Sequence, residues 1–238
     1  MRTVTAVAHR GDPYRVRENT LPSIRSALER GADAVEVDVR LTADGEAVLL
    51  HDPTLERLWG HARPLVMVSA DELRRLTAEG VPSLRAVLSA VGDHRVMIDL
   101  PNASDADARK VVGVVHECGA ADRVYYCAGA DAMLAVRRTD PAAEIAMTWT
   151  SLAPPRPVLL EAVRPRWLNY RFGLVSPELC DRAHRDGLLV SAWTADTGRT
   201  MRRLIRRGVD SITTNRIDVL ADLLRTAAPL GGSPQQLP

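Results

Sequence analysis

The chain has 238 residues, a formal net charge of +1, 46% hydrophobic residues and 26% charged residues. This length suits one large domain or two small ones, and it is enough to bury a core without a disulfide or metal staple. The near-neutral charge argues against a nucleic-acid-binding protein, and no stretch reaches the ~20 consecutive apolar residues of an integral membrane segment.

Short apolar runs rich in β-formers alternate along the chain with segments of helical spacing. The predicted strands are Val4–His9, Ala34–Arg40, Arg95–Leu100, Arg123–Cys127, Glu144–Trp149, Arg166–Asn169, Leu188–Trp193 and Ser211–Thr214. The predicted helices are Leu21–Arg30, Leu84–Val91, Ala103–Glu117, Ala130–Thr139, Val158–Val163, Pro177–Asp186, Arg199–Arg207 and Val219–Thr226. Strands separated by helices require parallel crossovers, so eight such units predict a (β/α)8 TIM barrel. An open doubly wound sheet is the alternative, although no G-x-G-x-x-G motif follows the first strand.

One stretch after the second strand breaks this alternation. Six residues that contain an Asp-Gly pair lead to a second strand-like run, Ala47–His51. Six residues are too few for a parallel crossover, and Asp-Gly favours a hairpin turn, so we expect this run to return antiparallel. A turn at that pair, or one residue earlier, would place His51 opposite Asp38 or opposite Glu36. We expect the insertion that follows, at about 52–81, to cover one side of the barrel mouth.

The ends of the chain and its cysteines suggest how the protein is organised. We expect a single barrel domain over residues 1–227, because no linker interrupts the alternation, and a disordered tail over the Gly-, Pro- and Gln-rich residues 228–238. The N-terminus runs at once into a strand, so we expect no signal peptide. The three cysteines form no motif, which favours reduced thiols in a cytoplasmic protein.

Candidate catalytic groups follow from the barrel, whose active sites lie at the C-terminal ends of its strands. The first three predicted strands end near His9, near Glu36 and Asp38, and at Asp99, and the hairpin returns His51 to the same rim. Glu36 and Asp38 are two residues apart on a strand, so their side chains share a face. Facing inward, they would be costly unless they were paired or bound to a metal. If the two side chains faced outward, they would be ordinary surface charges. Their position in the sequence alone does not distinguish a functional pair from surface charges.

Several motifs occur in one order with tight spacing. They are His9-Arg10-Gly11, Glu18-Asn19-Thr20, Gly31–Val39, and Thr42–Gly45 followed by His51-Asp52, and the series continues with Asp52–Arg57, Val81–Leu84, Ala192–Asp196 and Gly208–Thr214. This pattern resembles the glycerophosphodiester phosphodiesterase family of the PI-PLC-like phosphodiesterase superfamily, whose members are metal-dependent hydrolases on (β/α)8 barrels. The resemblance implies a phosphoric diester hydrolase that converts a glycerophosphodiester-type substrate to a phosphomonoester and an alcohol.

The resemblance also implies a role for each residue that matches one of these motifs. His9 and His51 would form the general acid/base pair, Arg10 would bind the phosphate, and Trp193 would line the substrate site. A phosphodiester gains negative charge towards its transition state, which a guanidinium and a hard cation stabilise. One histidine would take a proton and the other would return one, because an unperturbed histidine side chain changes its charge near neutral pH. Sequence does not assign which histidine is the acid.

The metal ligands implied by the resemblance are Glu36 and Asp38, with Mg²⁺ or Ca²⁺ as the cofactor. The third ligand of the family is usually a Glu in a Glu-x-Lys strand, where this chain has Asp99 and Pro101. Asp is one methylene shorter but still offers oxygen ligands. The missing lysine is a larger departure, and Arg171 is a candidate replacement, although a surface arginine is the simpler interpretation.

The expected partner is therefore a small-molecule phosphodiester, with no nucleic acid and no integral membrane segment. Pro101, together with Asn215 where the family carries an Asp, motivates an alternative substrate. That substrate would be a lysophospholipid or the phosphodiester of a specialised metabolite. A further alternative, from another class, is a non-catalytic phosphodiester-binding protein that keeps a degraded site.

Overall fold

The computed structural model describes residues 4–227, so the predicted tail at 228–238 lies outside the described residues. The strands are β1 (Thr5–His9), β2 (Ala34–Leu41), β3 (Ala47–Leu49), β4 (Thr54–Leu55), β5 (His61–Pro64), β6 (Arg95–Asp99), β7 (Val124–Ala128), β8 (Glu144–Trp149), β9 (Trp167–Arg171), β10 (Leu189–Trp193) and β11 (Ser211–Thr214). The helices are α1 (Leu21–Glu29), α2 (Glu56–Trp59), α3 (Ala70–Thr77), α4 (Leu84–Ala90), α5 (Asp105–Glu117), α6 (Ala130–Thr139), α7 (Pro157–Val163), α8 (Pro177–Arg185), α9 (Gly198–Arg207) and α10 (Ile217–Ala227). Each helix and strand of the predicted barrel therefore begins and ends within two residues of its expected bounds.

Eight parallel strands close into a barrel. The hydrogen-bonded order runs β1-β11-β10-β9-β8-β7-β6-β2, and β2 pairs with β1 to close the circle. One large apolar cluster fills the space between strands and helices, and a smaller one lies inside the barrel around Val7, Met97 and Trp167. This architecture confirms the (β/α)8 barrel and excludes the open doubly wound sheet. Among residues 4–227, no helix combines the length and apolar character needed to cross a membrane.

Side-chain caps start several of the helices, including α1 and α8. Thr20 accepts a hydrogen bond from Ser23 N at 3.3 Å, which begins α1 directly after the loop that follows β1. Ser176 likewise accepts from Leu179 N at 3.2 Å, with a proline at the first helical position. Such caps satisfy backbone donors that the first turn leaves free. They set how much loop remains at the C-terminal end of each strand, where the site lies.

The hairpin forms as predicted, but its register differs by one residue from both expectations. Leu50 rather than His51 lies beside Asp38, with Leu50 N donating to Asp38 O at 3.0 Å. The cause is Thr42, whose Oγ1 accepts from Glu46 N at 3.0 Å while its own N donates to Glu46 O at 3.0 Å. This arrangement makes a three-residue loop in place of a two-residue Asp-Gly turn. His51 consequently lies just beyond β3, at the rim of the barrel.

The insertion after β3 carries its own small fold. It contains β4, α2, β5 and α3, and its apolar side chains form a separate cluster that includes Leu55, Leu65 and Leu73. The Arg17 guanidinium lies 4.3 Å from the centre of the Trp59 ring, which joins the insertion to the loop after β1. The insertion thus lies against loops at the C-terminal end of the barrel.

Candidate active site

A cavity of about 320 Å³ opens where the barrel strands end. All seven of the site residues expected from the sequence line it, namely His9, Arg10, Glu36, Asp38, His51, Asp99 and Trp193. They come from β1 and the residue that follows it, from β2, β6 and β10, and from the residues that follow β3. The barrel therefore brings together groups that are as much as 184 positions apart in the chain (193 − 9).

Three acidic side chains form the most highly charged part of the cavity. Glu36, Asp38 and Asp99 each offer an oxygen, and these oxygens all lie within 4.8 Å of one another. Asp38 is directly opposite Asp99 in the parallel pairing of β2 with β6, and Glu36 and Asp38 are only 4% and 1% exposed. Burial and the neighbouring carboxylates raise the pKa of Glu36 well above its usual range, and they raise the pKa of Asp99 to about 7. A hard divalent cation fits this set of oxygen donors, because its charge would offset the repulsion among them.

Both the backbone and the side chain of Arg10 contact acidic residues of the cavity. Its backbone adopts φ +56, and its N donates to Glu36 Oε2 at 3.0 Å. Its guanidinium places Nε 3.0 Å from Asp38 Oδ2 and Nη1 2.9 Å from Glu18 Oε1. Asn19 Nδ2 donates to the same Asp38 oxygen at 2.7 Å. Arg10 therefore offsets part of the cluster's negative charge while its guanidinium still lines the cavity, where an anion can reach it.

His9 is held by a two-step chain of hydrogen bonds. Asp196 accepts from Asn215 Nδ2 at 2.9 Å and from Asn215 N at 2.8 Å, which turns the amide oxygen towards the ring. His9 Nδ1 lies 2.8 Å from that oxygen and must donate to it, so the neutral ring keeps its lone pair on Nε2. Nε2 lies 3.9 Å from Glu36 Oε2. Burial, followed by the charge of Arg10, lowers the pKa of His9, so its neutral form persists to lower pH.

His51 is held by residues of the insertion. Its Nδ1 lies 2.7 Å from Asp52 Oδ1, and Arg40 Nε donates to its carbonyl oxygen at 2.8 Å. Arg57 donates from Nε to Asp52 Oδ2 at 2.5 Å and from Nη2 to Glu18 Oε1 at 2.6 Å. The bond from Arg57 lowers the pKa of Asp52, which keeps that carboxylate ionised beside the ring. The sequence motifs contain Glu18 and Arg57, but a contact across 39 positions has no local signal.

The corner of the cavity that lacks the expected lysine is lined by Pro101 and Asn102. Arg171, the candidate replacement, is exposed and is not among the residues that line the cavity, which agrees with the simpler interpretation of a surface arginine. Arg40 instead lines, with Pro101 and Asn102, an adjoining groove of about 280 Å³. Its charge also lowers the pKa of Asp99, although burial dominates and leaves the net shift upward. The neighbouring strand β2 therefore supplies a cation beside the position of the missing one.

The described residues match a known family over most of their length. A model of the glycerophosphoryl diester phosphodiesterase family matches residues 9–219. The chain belongs to this family. It is accordingly an enzyme, a phosphoric diester hydrolase, and the alternative of a non-catalytic binding protein is set aside.

Individual relatives agree with membership of the glycerophosphoryl diester phosphodiesterase family. The glycerophosphodiester phosphodiesterase of Caldanaerobacter subterraneus subsp. tengcongensis is 28% identical over 236 residues, covering 92% of this chain and 97% of that protein. A crystal structure of a glycerophosphodiester phosphodiesterase from Parabacteroides distasonis matches with a TM-score of 0.80 and 25% identity over 94% of this chain and 98% of that chain. A phosphodiesterase of Oleispira antarctica, solved in complex with the product sn-glycerol-3-phosphate, shares the fold with a TM-score of 0.84 at 18% identity, covering 93% of this chain and 96% of that chain.

Proposed function

We propose that this enzyme hydrolyses a glycerophosphodiester to a phosphomonoester and an alcohol, with a divalent cation held by Glu36, Asp38 and Asp99. The observation that carries this proposal is the set of three carboxylate oxygens within 4.8 Å of one another, in one cavity with two histidines. The name of the Caldanaerobacter relative and the product bound to the Oleispira phosphodiesterase support the substrate class. When bound, Mg²⁺ or Ca²⁺ would stabilise the negative charge that develops on the phosphoryl oxygens.

His9 is proposed to be the general base. Its Nδ1 donates to Asn215, so Nε2 offers a lone pair that can take a proton from the attacking hydroxyl or water. The lowered pKa of His9 favours this role, because the ring is then neutral at physiological pH. A low pKa also makes a weaker base, so the role depends on the proton being taken as the new bond to phosphorus forms.

His51 is proposed to be the general acid that protonates the departing alkoxide. Asp52 holds its ring through Nδ1, which leaves Nε2 to carry the proton that is transferred. Arg10 is proposed to bind a non-bridging phosphate oxygen, because it lines the same cavity as the two histidines and the carboxylate cluster. These roles place the base at the end of β1 and the acid just beyond β3, so that separate groups serve the entering and the leaving oxygen.

Phosphorus NMR of glycerophosphocholine hydrolysis tests this proposal. We expect turnover in Mg²⁺ or Ca²⁺, its loss in chelator and its return when cation is added back. His9→Ala and His51→Ala should each lower kcat by about 100-fold or more. His116→Ala is the matched control, because His116 also contacts a carboxylate, Asp140 Oδ2 at 2.8 Å, but does not line the cavity. Full activity in His9→Ala, or activity unaffected by chelator, would contradict the proposal.

A lysophospholipid is a second candidate substrate, favoured by the groove that adjoins the cavity. Its walls include the apolar residues Val39, Leu65 and Leu100, and its rim includes Val66, which is 68% exposed. An acyl chain could lie there while the phosphate occupies the cavity. Competition between glycerophosphocholine and a lysophosphatidylcholine in one assay separates the two, and we expect the glycerophosphodiester to have the higher kcat/KM.

We also propose that the protein works in the cytoplasm. Cys118, Cys127 and Cys180 are all free thiols. A reducing compartment would keep them in that state. Fractionation of the cells that produce the protein tests this, with recovery in the soluble fraction as the expected result.

A further inference from the structure

Arg40 follows two carboxylates of the cavity along the same face of β2. Side chains two positions apart on a strand point the same way, so Glu36, Asp38 and Arg40 form one row. At about 3.3 Å per residue, the Cα of Arg40 lies about 7 Å beyond that of Asp38 along the strand. Glu36 and Asp38 line the active-site cavity, whereas Arg40 lines the adjoining groove of about 280 Å³. The row therefore places a cation just outside the carboxylate cluster.

The guanidinium of Arg40 is anchored at one nitrogen and free at the other two. Its Nε donates to the carbonyl oxygen of His51 at 2.8 Å. Within residues 4–227, its Nη1 and Nη2 have no hydrogen-bond or ion-pair partner. Arg10 and Arg57 differ in this respect, because each of them forms ion pairs with two carboxylates. Arg40 thus presents two adjacent N–H donor groups to a molecule that enters the groove.

The groove offers few polar partners besides Arg40. Its apolar walls include Leu65 and Leu100. Of the described residues that line it, Arg40 is the only basic one and Asp107 is the only acidic one. Asp107 Oδ2 accepts from Ser104 N at 2.9 Å and from Ser104 Oγ at 2.7 Å, so this oxygen is engaged at the start of α5. An anionic group in the groove would therefore be recognised chiefly by Arg40.

The groove lies beside the proposed general acid. His51 would protonate the departing alkoxide, and its carbonyl oxygen accepts the hydrogen bond from Arg40 Nε. Pro101 and Asn102 line both the cavity and the groove, so the two spaces adjoin at this corner. The leaving alcohol of a phosphodiester bound in the cavity can therefore extend past His51 towards Arg40.

We propose that the groove binds a carboxylate on the leaving alcohol, which makes the enzyme selective for glycerophosphodiesters of hydroxy acids such as serine. This inference rests on the proposed function and assigns the leaving-group site for it. A carboxylate matches the two free nitrogens of Arg40 in a bidentate pair. A neutral alkyl group would leave both nitrogens without a partner. A second phosphate would bring more negative charge than the single basic residue of the groove lining offsets.

The test compares two substrates that differ by one carboxylate. Glycerophosphoserine and glycerophosphoethanolamine release alcohols that both carry an ammonium group, and only serine carries a carboxylate. With saturating Mg²⁺ and phosphorus NMR of the glycerol phosphate released, we expect the wild type to prefer the serine diester by about fivefold or more in kcat/KM. Arg40→Gln should bring the two diesters to within about twofold of each other. Arg40→Lys keeps the charge without the paired donors, so it should retain an intermediate preference.

The ratio of the two diesters separates recognition of the carboxylate from effects on His51. Gln can still donate to the carbonyl oxygen of His51, and any disturbance of that contact slows both diesters alike. A wild type that hydrolyses both diesters equally well would overturn the inference. An Arg40→Gln variant that slows both by the same factor would also overturn it, since Arg40 would then act only through His51 or the phosphate.

Arg171→Gln is the matched control. Arg171 is an exposed arginine at the end of β9, and it lines neither the cavity nor the groove. This variant removes the same charge from the same end of the barrel and should keep the wild-type preference. Equal loss of the preference in Arg171→Gln and Arg40→Gln would contradict a contact with Arg40, because the overall charge of this face would then explain it.

A binding measurement keeps this inference separate from the proposed function. If the wild type hydrolyses neither diester, the proposed function fails. Calorimetry with O-phosphoserine and O-phosphoethanolamine then decides the inference by itself. Tighter binding of phosphoserine, lost in Arg40→Gln and kept in Arg171→Gln, supports recognition of the carboxylate, and equal binding of the two phosphates contradicts it.

Discussion

Replacing Asp99 by Asn tests the electrostatics of the carboxylate cluster. Asp99 lies opposite Asp38 on the neighbouring strand, and its oxygen is within 4.8 Å of those of Glu36 and Asp38. Burial first, and then the charge of Asp38, raise the pKa of Asp99 from 3.8 to about 7. The Asp99→Asn substitution keeps the shape of the side chain and removes this titration.

The sign and size of the effect follow from the shift of the pKa of Asp99. The pKa of Asp99 is raised in the folded state, so the folded protein holds this proton at pH values where the unfolded chain has lost it. The contribution of Asp99 to the free energy of unfolding is therefore full below pH 3.8 and is lost as the pH rises through about 7. The shift spans about three pH units, or about 4 kcal/mol in full. About two of those units fall between pH 5 and pH 7, so without metal the variant should gain about 3 kcal/mol over the wild type in that range.

Urea unfolding in chelator, at intervals from pH 5 to pH 8, measures this difference directly. We expect the free energy of unfolding of the wild type to fall relative to that of Asp99→Asn as the pH rises. Excess Ca²⁺ should reverse the order, because the wild type keeps the third ligand, and a cation at 1,000 times its Kd adds about 4.1 kcal/mol, which exceeds the difference of about 3 kcal/mol. Parallel curves for the two proteins across this pH range would refute the electrostatic reasoning.

Three further substitutions test how the catalytic groups are positioned. Gly11→Ala should lower the free energy of unfolding by about 3 kcal/mol in a denaturant titration. The φ of Gly11 is +89, and a Cβ at this position would lie 2.4 Å from Ser23 Oγ. An unchanged midpoint of unfolding would contradict this. Asn215→Leu should lower kcat about 10- to 100-fold with little change in KM, because His9 loses the acceptor that orients it, and a change confined to KM would argue against that role. Arg57→Met should lower kcat/KM about tenfold in steady-state assays by releasing the carboxylate that holds the second histidine, whereas unaltered kinetics would mean that the insertion does not position it.

Most of the barrel could be predicted from the sequence because each of its elements carries its own local signal. Apolar runs mark the strands, and caps such as Ser176 and Thr20 mark where helices begin. The same logic placed Asp99 at the end of a strand, at the same rim as Asp38. The rule that barrel sites lie at strand ends was enough to gather the candidate residues at one rim.

The remaining features depend on contacts that have no local pattern. The hairpin register depends on the side chain of Thr42, whose hydrogen bond with Glu46 N makes the loop one residue longer than the predicted turn. The short elements of the insertion, such as the four-residue α2, are too brief to show periodicity. The ion pair of Arg57 with Glu18 joins segments far apart in sequence. The strands from β7 to β11 each contribute only one or two residues to the lining of the cavity, so each of these residues, such as Asn169, has the sequence signal of an ordinary strand residue.

A titration of the metal-free protein with cation tests whether Glu36, Asp38 and Asp99 hold a cation that catalysis needs. Calorimetry and the rate of glycerophosphodiester hydrolysis would be measured in parallel as Ca²⁺ or Mg²⁺ is added to the wild type and to Glu36→Gln. We expect one cation per chain in the wild type, a rate proportional to occupancy, and loss of both binding and rate in the variant. A full rate before any cation is added, or unchanged binding in Glu36→Gln, would contradict it.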